Sequence, residues 1–252
     1  MSTISRRRLL AMAATGMAAG TLSACASYRP RGERAYSQAT VPLPEPGLQF
    51  NTPAFGSPEM MYAAVVDEGH NIPAVPYQQI DPRYYRQVVP DPTGEAPGTV
   101  VIDTAAHCLY LVGNFGQSVR YGVGLGRAGF EWSGRGEIEW KQKWPRWFPP
   151  EEMIARQPEL EKYRARQVPG KNEWLGGMEA GVQNPLGARA LYIFQDGKDT
   201  LYRLHGSPEW WSIGKSVSSG CVRLINQDVI DLYERVPDKT PILVTSGLPG
   251  SV

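Results

Sequence analysis

Thr99-Val100-Val101-Ile102-Asp103, the short link Thr104-Ala105-Ala106-His107, and then Cys108-Leu109-Tyr110-Leu111-Val112 form the stretch that decides the fold class. β-Branched and aromatic residues dominate both runs, and the small residues between them suit a reversal, so the segment reads as two antiparallel strands. Gly113-Asn114-Phe115-Gly116 is the next turn and residues 118–123 the next strand, a meander expected to bury one face. Cys108 falls in the alternating apolar run and is expected in the core, with His107 beside it on the solvent side or in the turn.

The same texture returns downstream. Ala190-Leu191-Tyr192-Ile193-Phe194 and a strand from Thr200 to Leu204 flank the turn Asp196-Gly197-Lys198-Asp199, a hairpin that carries His205 to an edge. Asn226 is a candidate N-cap for a helix running to about Val236, on which Val229, Leu232, Tyr233 and Val236 share a face. Pro237 stops it, and Pro241-Ile242-Leu243-Val244-Thr245 returns to strand. The expected class is mainly β with accessory helices.

At 252 residues, the chain holds one substantial domain with an appended arm. Its 26 Lys and Arg balance 25 Asp and Glu, which gives no basic surface for a nucleic-acid partner. Three Cys cannot build a dense disulfide framework, and none are spaced as a structural zinc site.

The first 24 residues read as an export signal. Ser5-Arg6-Arg7-Arg8-Leu9-Leu10 is a positive n-region resembling a twin-arginine address, followed by a mild Ala, Met, Gly and Leu stretch too short for a permanent span. Leu22-Ser23-Ala24-Cys25 resembles a bacterial lipoprotein processing box, which makes Cys25 an expected lipidation site and anchors the chain on the periplasmic side of a bacterial membrane. Ala26 is not the Asp that often retains such proteins in the inner membrane, so the outer membrane is preferred. A plain cleaved signal and a disordered basic arm are the alternatives. Loss of residues 1–24 would remove three Arg and no acid, leaving 23 basic against 25 acidic side chains.

Residues 25–97 are rich in Pro, Gly and Ser and read as an extended arm or packed extension, with a short helical piece at about 58–68. Residues 98–246 form the expected catalytic domain and 247–252 a tail. Within it lies a central insertion: residues 151–166 have a helical composition that Pro158 should divide. All 7 Trp fall between Trp132 and Trp211, as lining for a groove or as packing for long loops.

The chemistry concentrates in Leu204-His205-Gly206-Ser207 and Ser218-Ser219-Gly220-Cys221-Val222-Arg223-Leu224. A thiol in a Ser/Gly turn becomes a strong nucleophile when an imidazole or local positive field favours its thiolate, and His205 is the natural partner for Cys221. The two motifs together resemble the L,D-transpeptidase catalytic domain family, also called YkuD or ErfK/YbiS/YcfS/YnhG. That family joins an upstream His-Gly to a downstream Ser-x-Gly-Cys-x-Arg, and the likeness extends back to the strands at 99–126 and Gly124-Leu125-Gly126. Ser219 stands where many relatives have a second His. Phe130-Glu131-Trp132-Ser133-Gly134 replaces the usual Thr-Pro-x-Gly segment.

The resemblance implies a β-rich sandwich and a metal-free, cofactor-free acyl transfer on peptidoglycan stem peptides. Cys221 would attack the carbonyl between the third and fourth residues and His205 would move the proton, releasing D-Ala. Backbone N–H groups at Gly220 and Cys221 would meet the oxyanion, and Ser218 would fix the turn. Arg223, Gly206, Ser207, Ser219, Trp210 and Trp211 are the expected substrate-binding residues. The acceptor would be a stem amine, giving 3-3 cross-links, or an outer-membrane protein. Water as acceptor would make an L,D-carboxypeptidase or endopeptidase, and a non-catalytic peptidoglycan-binding lipoprotein is the reading from another class.

Overall fold

The computed structural model describes residues 55–126, 132–171, 173–218 and 220–248. The chain divides into Met1–Leu43 and Pro44–Val252, and only the second contains described residues. The expected signal at 1–24 and the expected lipidation site Cys25 lie outside them, as do Ser219, Phe130 and Glu131.

Nine strands form one sheet: β1 Gln87–Pro90, β2 Val100–Asp103, β3 Cys108–Val112, β4 Gln117–Gly122, β5 Gly134–Lys143, β6 Arg189–Gln195, β7 Lys198–Ser207, β8 Val222–Ile225 and β9 Thr240–Thr245. Their order across it is β8-β7-β6-β5-β9-β2-β3-β4-β1. The pairs β8–β7 and β9–β2 are parallel and the rest antiparallel. Ile102, Leu109 and Tyr121 share one buried cluster with Ile138, Leu191, Leu204 and Leu224, so the sheet curls over and packs on itself as a β-rich sandwich.

Helix Asn226–Arg235 seals this interior with Val229 and Leu232, and Val236 follows at its end. Asn226 is not its N-cap. Ile225 holds that position, and the Asn226 Oδ1 accepts the Ala188 N–H at 2.9 Å, a long-range partner that outcompetes the local cap. The central insertion divides at Pro158 into helix Glu151–Arg156 and the 3-10 segment Pro158–Tyr163.

The β2–β4 meander buries both faces rather than one. Val101, Cys108, Tyr110 and Val112 point away from the sandwich interior and are covered by Tyr62, Val75, Ile80 and Tyr84 from the N-terminal segment. The helical piece there is a single turn, Pro58–Met61, because the chain reverses at Gly69 between strands Val65–Asp67 and His70–Ile72. Asp67 fastens that hairpin to the sheet: Arg189 donates to both of its carboxylate oxygens, at 2.7 and 2.9 Å, and Trp144 Nε1 at 2.7 Å. His107 turns the chain into β3 with positive φ, its Nε2 3.0 Å from Ser216 Oγ.

Candidate active site

The register of β7 on β8 builds the site. Leu204 lies opposite Val222, His205 opposite Arg223 and Ser207 opposite Ile225. Side chains alternate along a strand, so Leu204, Val222 and Leu224 enter the core while His205 and Arg223 share the other face. One step before Val222, the same register sets Cys221 beside Arg203, whose backbone N–H lies against the sulfur. Gly220 precedes it at φ +136°, a conformation L side chains rarely adopt. Two sequence-distant motifs thus meet on adjacent strands.

His205 is buried, and its Nδ1 lies 2.6 Å from the Gly206 carbonyl. A carbonyl only accepts, so Nδ1 carries the proton and Nε2 the lone pair a base needs. Burial lowers the imidazole to about 4, against the raising effect of the Gly206 and Pro185 carbonyls, with Arg223 and Arg203 lowering it further. Burial also pushes the partly exposed Cys221 thiol up, offset in part by the Arg203 N–H and by the Arg203 and Arg223 guanidiniums. Near neutral pH the resting pair is therefore thiol and neutral imidazole. Cys108 is a buried thiol in β3, and neither cysteine is in a disulfide.

The other expected residues take distinct positions. Arg223 pairs with the Glu209 carboxylate, while its backbone exchanges hydrogen bonds with Gly124 at 2.9 Å each way. A Cβ on Gly206 would meet Asn226 Oδ1 at 2.3 Å, so packing beneath it demands glycine there. Ser207 is buried and its Oγ accepts the Glu209 N–H at 3.1 Å. Ser218 ends strand Ser216–Ser218, which pairs with Leu125–Gly126; its side chain lies outside the described residues. Trp210 and Trp211 stand edge to face at 5.7 Å on the 3-10 turn after β7, and both line a groove of about 600 Å³. Trp144 is core packing, and Trp140 stacks on Tyr192 across the sheet.

Sequence reading missed the setting of Cys221. Arg203 forks onto Asp199 at 2.7 and 2.8 Å and lies 4.4 Å over the Tyr192 ring. The i, i+4 spacing of an acid and a base was visible, but only the strand register reveals that Arg203 abuts Cys221. No group of three or more His, Cys, Asp or Glu suited to a metal ion occurs among the described residues.

Comparison with known proteins agrees with the two motifs. The L,D-transpeptidase catalytic domain model, YkuD, matches residues 97–244. The chain is 33% identical over 160 residues to the probable L,D-transpeptidase YbiS of Escherichia coli K12, covering 62% of this chain and 46% of that one. It is 30% identical over 151 residues to the probable L,D-transpeptidase ErfK/SrfK of the same strain, covering 58% and 43%. It therefore spans less than half the length of these curated relatives. A crystal structure described as a probable carnitine operon oxidoreductase from Brucella melitensis is 45% identical, covering 64% of this chain and 94% of that one, with a TM-score of 0.43. The family match covers more than half of the sequence and includes both motifs: this chain belongs to the L,D-transpeptidase catalytic domain family.

Proposed function

We propose that the chain is a peptidoglycan L,D-transpeptidase in which Cys221 forms an acyl-enzyme with a tetrapeptide stem. The observation that carries this reading is the parallel register of β7 and β8, which brings the His205 and Cys221 motifs onto adjacent strands of a family-matched domain. As the sulfur attacks the carbonyl of the L,D bond, His205 Nε2 takes the thiol proton. The N–H groups of Gly220 and Cys221 face the developing oxyanion. Collapse breaks the C–N bond, the imidazolium returns its proton to the leaving D-Ala amine, and a thioester remains. An acceptor amine then attacks the thioester, loses a proton to His205, and expels the thiolate, which is reprotonated.

Arg223 and Ser218 are assigned to substrate positioning and to the nucleophile turn. Export by residues 1–24 and lipid on Cys25 would hold the domain at the periplasmic face of the outer membrane, with wall stems or an outer-membrane protein as acceptor. No helix among the described residues is long and apolar enough to cross a membrane.

The test is incubation of the purified chain and its Cys221→Ala variant with defined tetrapeptide muropeptides, read by product mass. Loss of D-Ala with cross-linked dimers, absent in the variant, is the expected result. Loss of D-Ala without dimers would replace transfer by hydrolysis, and unchanged substrate with both proteins would remove this activity.

A further inference from the structure

Beyond the catalytic pair, the same sheet face runs into a groove of about 600 Å³. Ser207 and Ile225 line it, each two residues beyond His205 and Arg223 on the same strands, so it opens roughly 7 Å along the strand from the base at about 3.3 Å per residue. Its far wall is Asn71 to Val75, from the N-terminal segment that precedes the family-matched region. The groove is a feature of how this chain's extension packs.

Its chemistry is selective. In a chain with 20% charged residues, none of the described residues lining this groove is charged. Asn71 and Gln183 bring exposed uncharged amides, and the Trp210–Trp211 pair brings indole faces, with Trp211 half exposed. A smaller cavity of about 310 Å³ shares the two indoles and is lined as well by Asp81, Arg83 and Lys215, so the same Trp pair borders a neutral groove and a charged one. A stem peptide carries carboxylates and would leave them without a cation in the neutral groove, at a high desolvation cost. An N-acetylated pyranose carries no charge, packs its C–H face on an indole, and offers hydroxyl and amide groups to side-chain amides.

We propose that this groove binds the neutral N-acetylated glycan to which the reacting stem is attached, with Trp211 as its stacking platform and Asn71 of the extension as part of its wall. This rests on the peptidoglycan reading above for the link between glycan and stem, though the groove's preference for a neutral sugar does not. The Cys221→Ala chain, which cannot form the thioester, is titrated calorimetrically with the free tetrapeptide, with the same tetrapeptide on its N-acetylated disaccharide, and with an N-acetylglucosamine tetramer.

The disaccharide-bearing stem is expected to bind about tenfold tighter than the free stem, a gain that Trp211→Ala reduces to about onefold and Trp211→Phe largely retains. A ratio near one in the parent chain, or an unchanged ratio in Trp211→Ala, overturns the proposal even if D-Ala release proceeds. Trp211-dependent binding of the tetramer and of the disaccharide-bearing stem, with no D-Ala released by the parent chain, supports the groove and overturns the reaction instead. Circular dichroism of each Trp211 variant confirms that it is folded; Trp211→Phe keeps the test open if the alanine variant is not.

Discussion

At the residue scale, the proposed chemistry turns on two groups that burial keeps neutral. With His205 at about 4 and the Cys221 thiol pushed above its ordinary range, both hold their working protonation states from about pH 5 to 8. The kcat/KM for D-Ala release should be flat there and fall below pH 5 as the base protonates. A rate climbing tenfold per pH unit across that range would mean a free thiolate attacks without the imidazole. The sulfur also feels Arg203, whose charge Asp199 partly neutralises. Arg203→Met should raise the thiol pKa and Asp199→Asn should lower it, measured as the pH dependence of Cys221 alkylation. Shifts of the same sign in both variants would point to a general disturbance of the hairpin.

At the element scale, helix Asn226–Arg235 supports the strand that carries His205 through one amide. Asn226 Oδ1 satisfies the buried Ala188 N–H and presses on Gly206, next to His205. Asn226→Ala orphans that donor and should cost about 1–3 kcal/mol in urea unfolding, whereas Asn226→Asp keeps an acceptor and should lose less. This contact also shows where sequence reading stops. An Asn ahead of an apolar helical period satisfies the local preference for a cap, but its partner lies 38 positions away, and nothing in the spacing names it. The β2–β4 strands and the β6–β7 hairpin were legible because β-branched runs bounded by Asp-Gly and Gly-Asn turns act locally. The burial of both meander faces was not, since it depends on Tyr62, Ile80 and Tyr84 arriving from a segment whose own periodicity is weak. His205 and Cys221 were legible as a paired motif; their common neighbour Arg203 required the parallel register.

At the scale of the whole molecule, the N-terminal segment joins the domain through a buried charged cluster as well as through apolar packing. Asp228 on the helix faces Arg86 at 3.8 Å, neighbours Asp231, and receives the Tyr62 hydroxyl at 3.3 Å. Burial raises its carboxyl to about 7, with Arg86 lowering and Asp231 raising it. The folded state therefore holds a proton that the unfolded chain releases above about pH 4, and this contribution to stability is full below pH 4 and lost as pH rises towards 7. His205 works in the opposite sense: its folded value is depressed, so its contribution is full above about pH 6.5 and lost as pH falls towards 4. Between pH 4 and 6.5 the two proton-binding differences have opposite signs, so their slopes nearly cancel. Asp228→Asn removes one side of that balance. Compared with the parent chain, the variant should lose stability as pH drops through this window, by roughly 3 kcal/mol at most for a displacement of two to three pKa units. Urea midpoints taken at half-unit steps from pH 4 to 7 check it. Parallel curves for the two proteins would mean that Asp228 is ionised in the folded state and that the Arg86 guanidinium, rather than burial, governs the junction between the extension and the sheet.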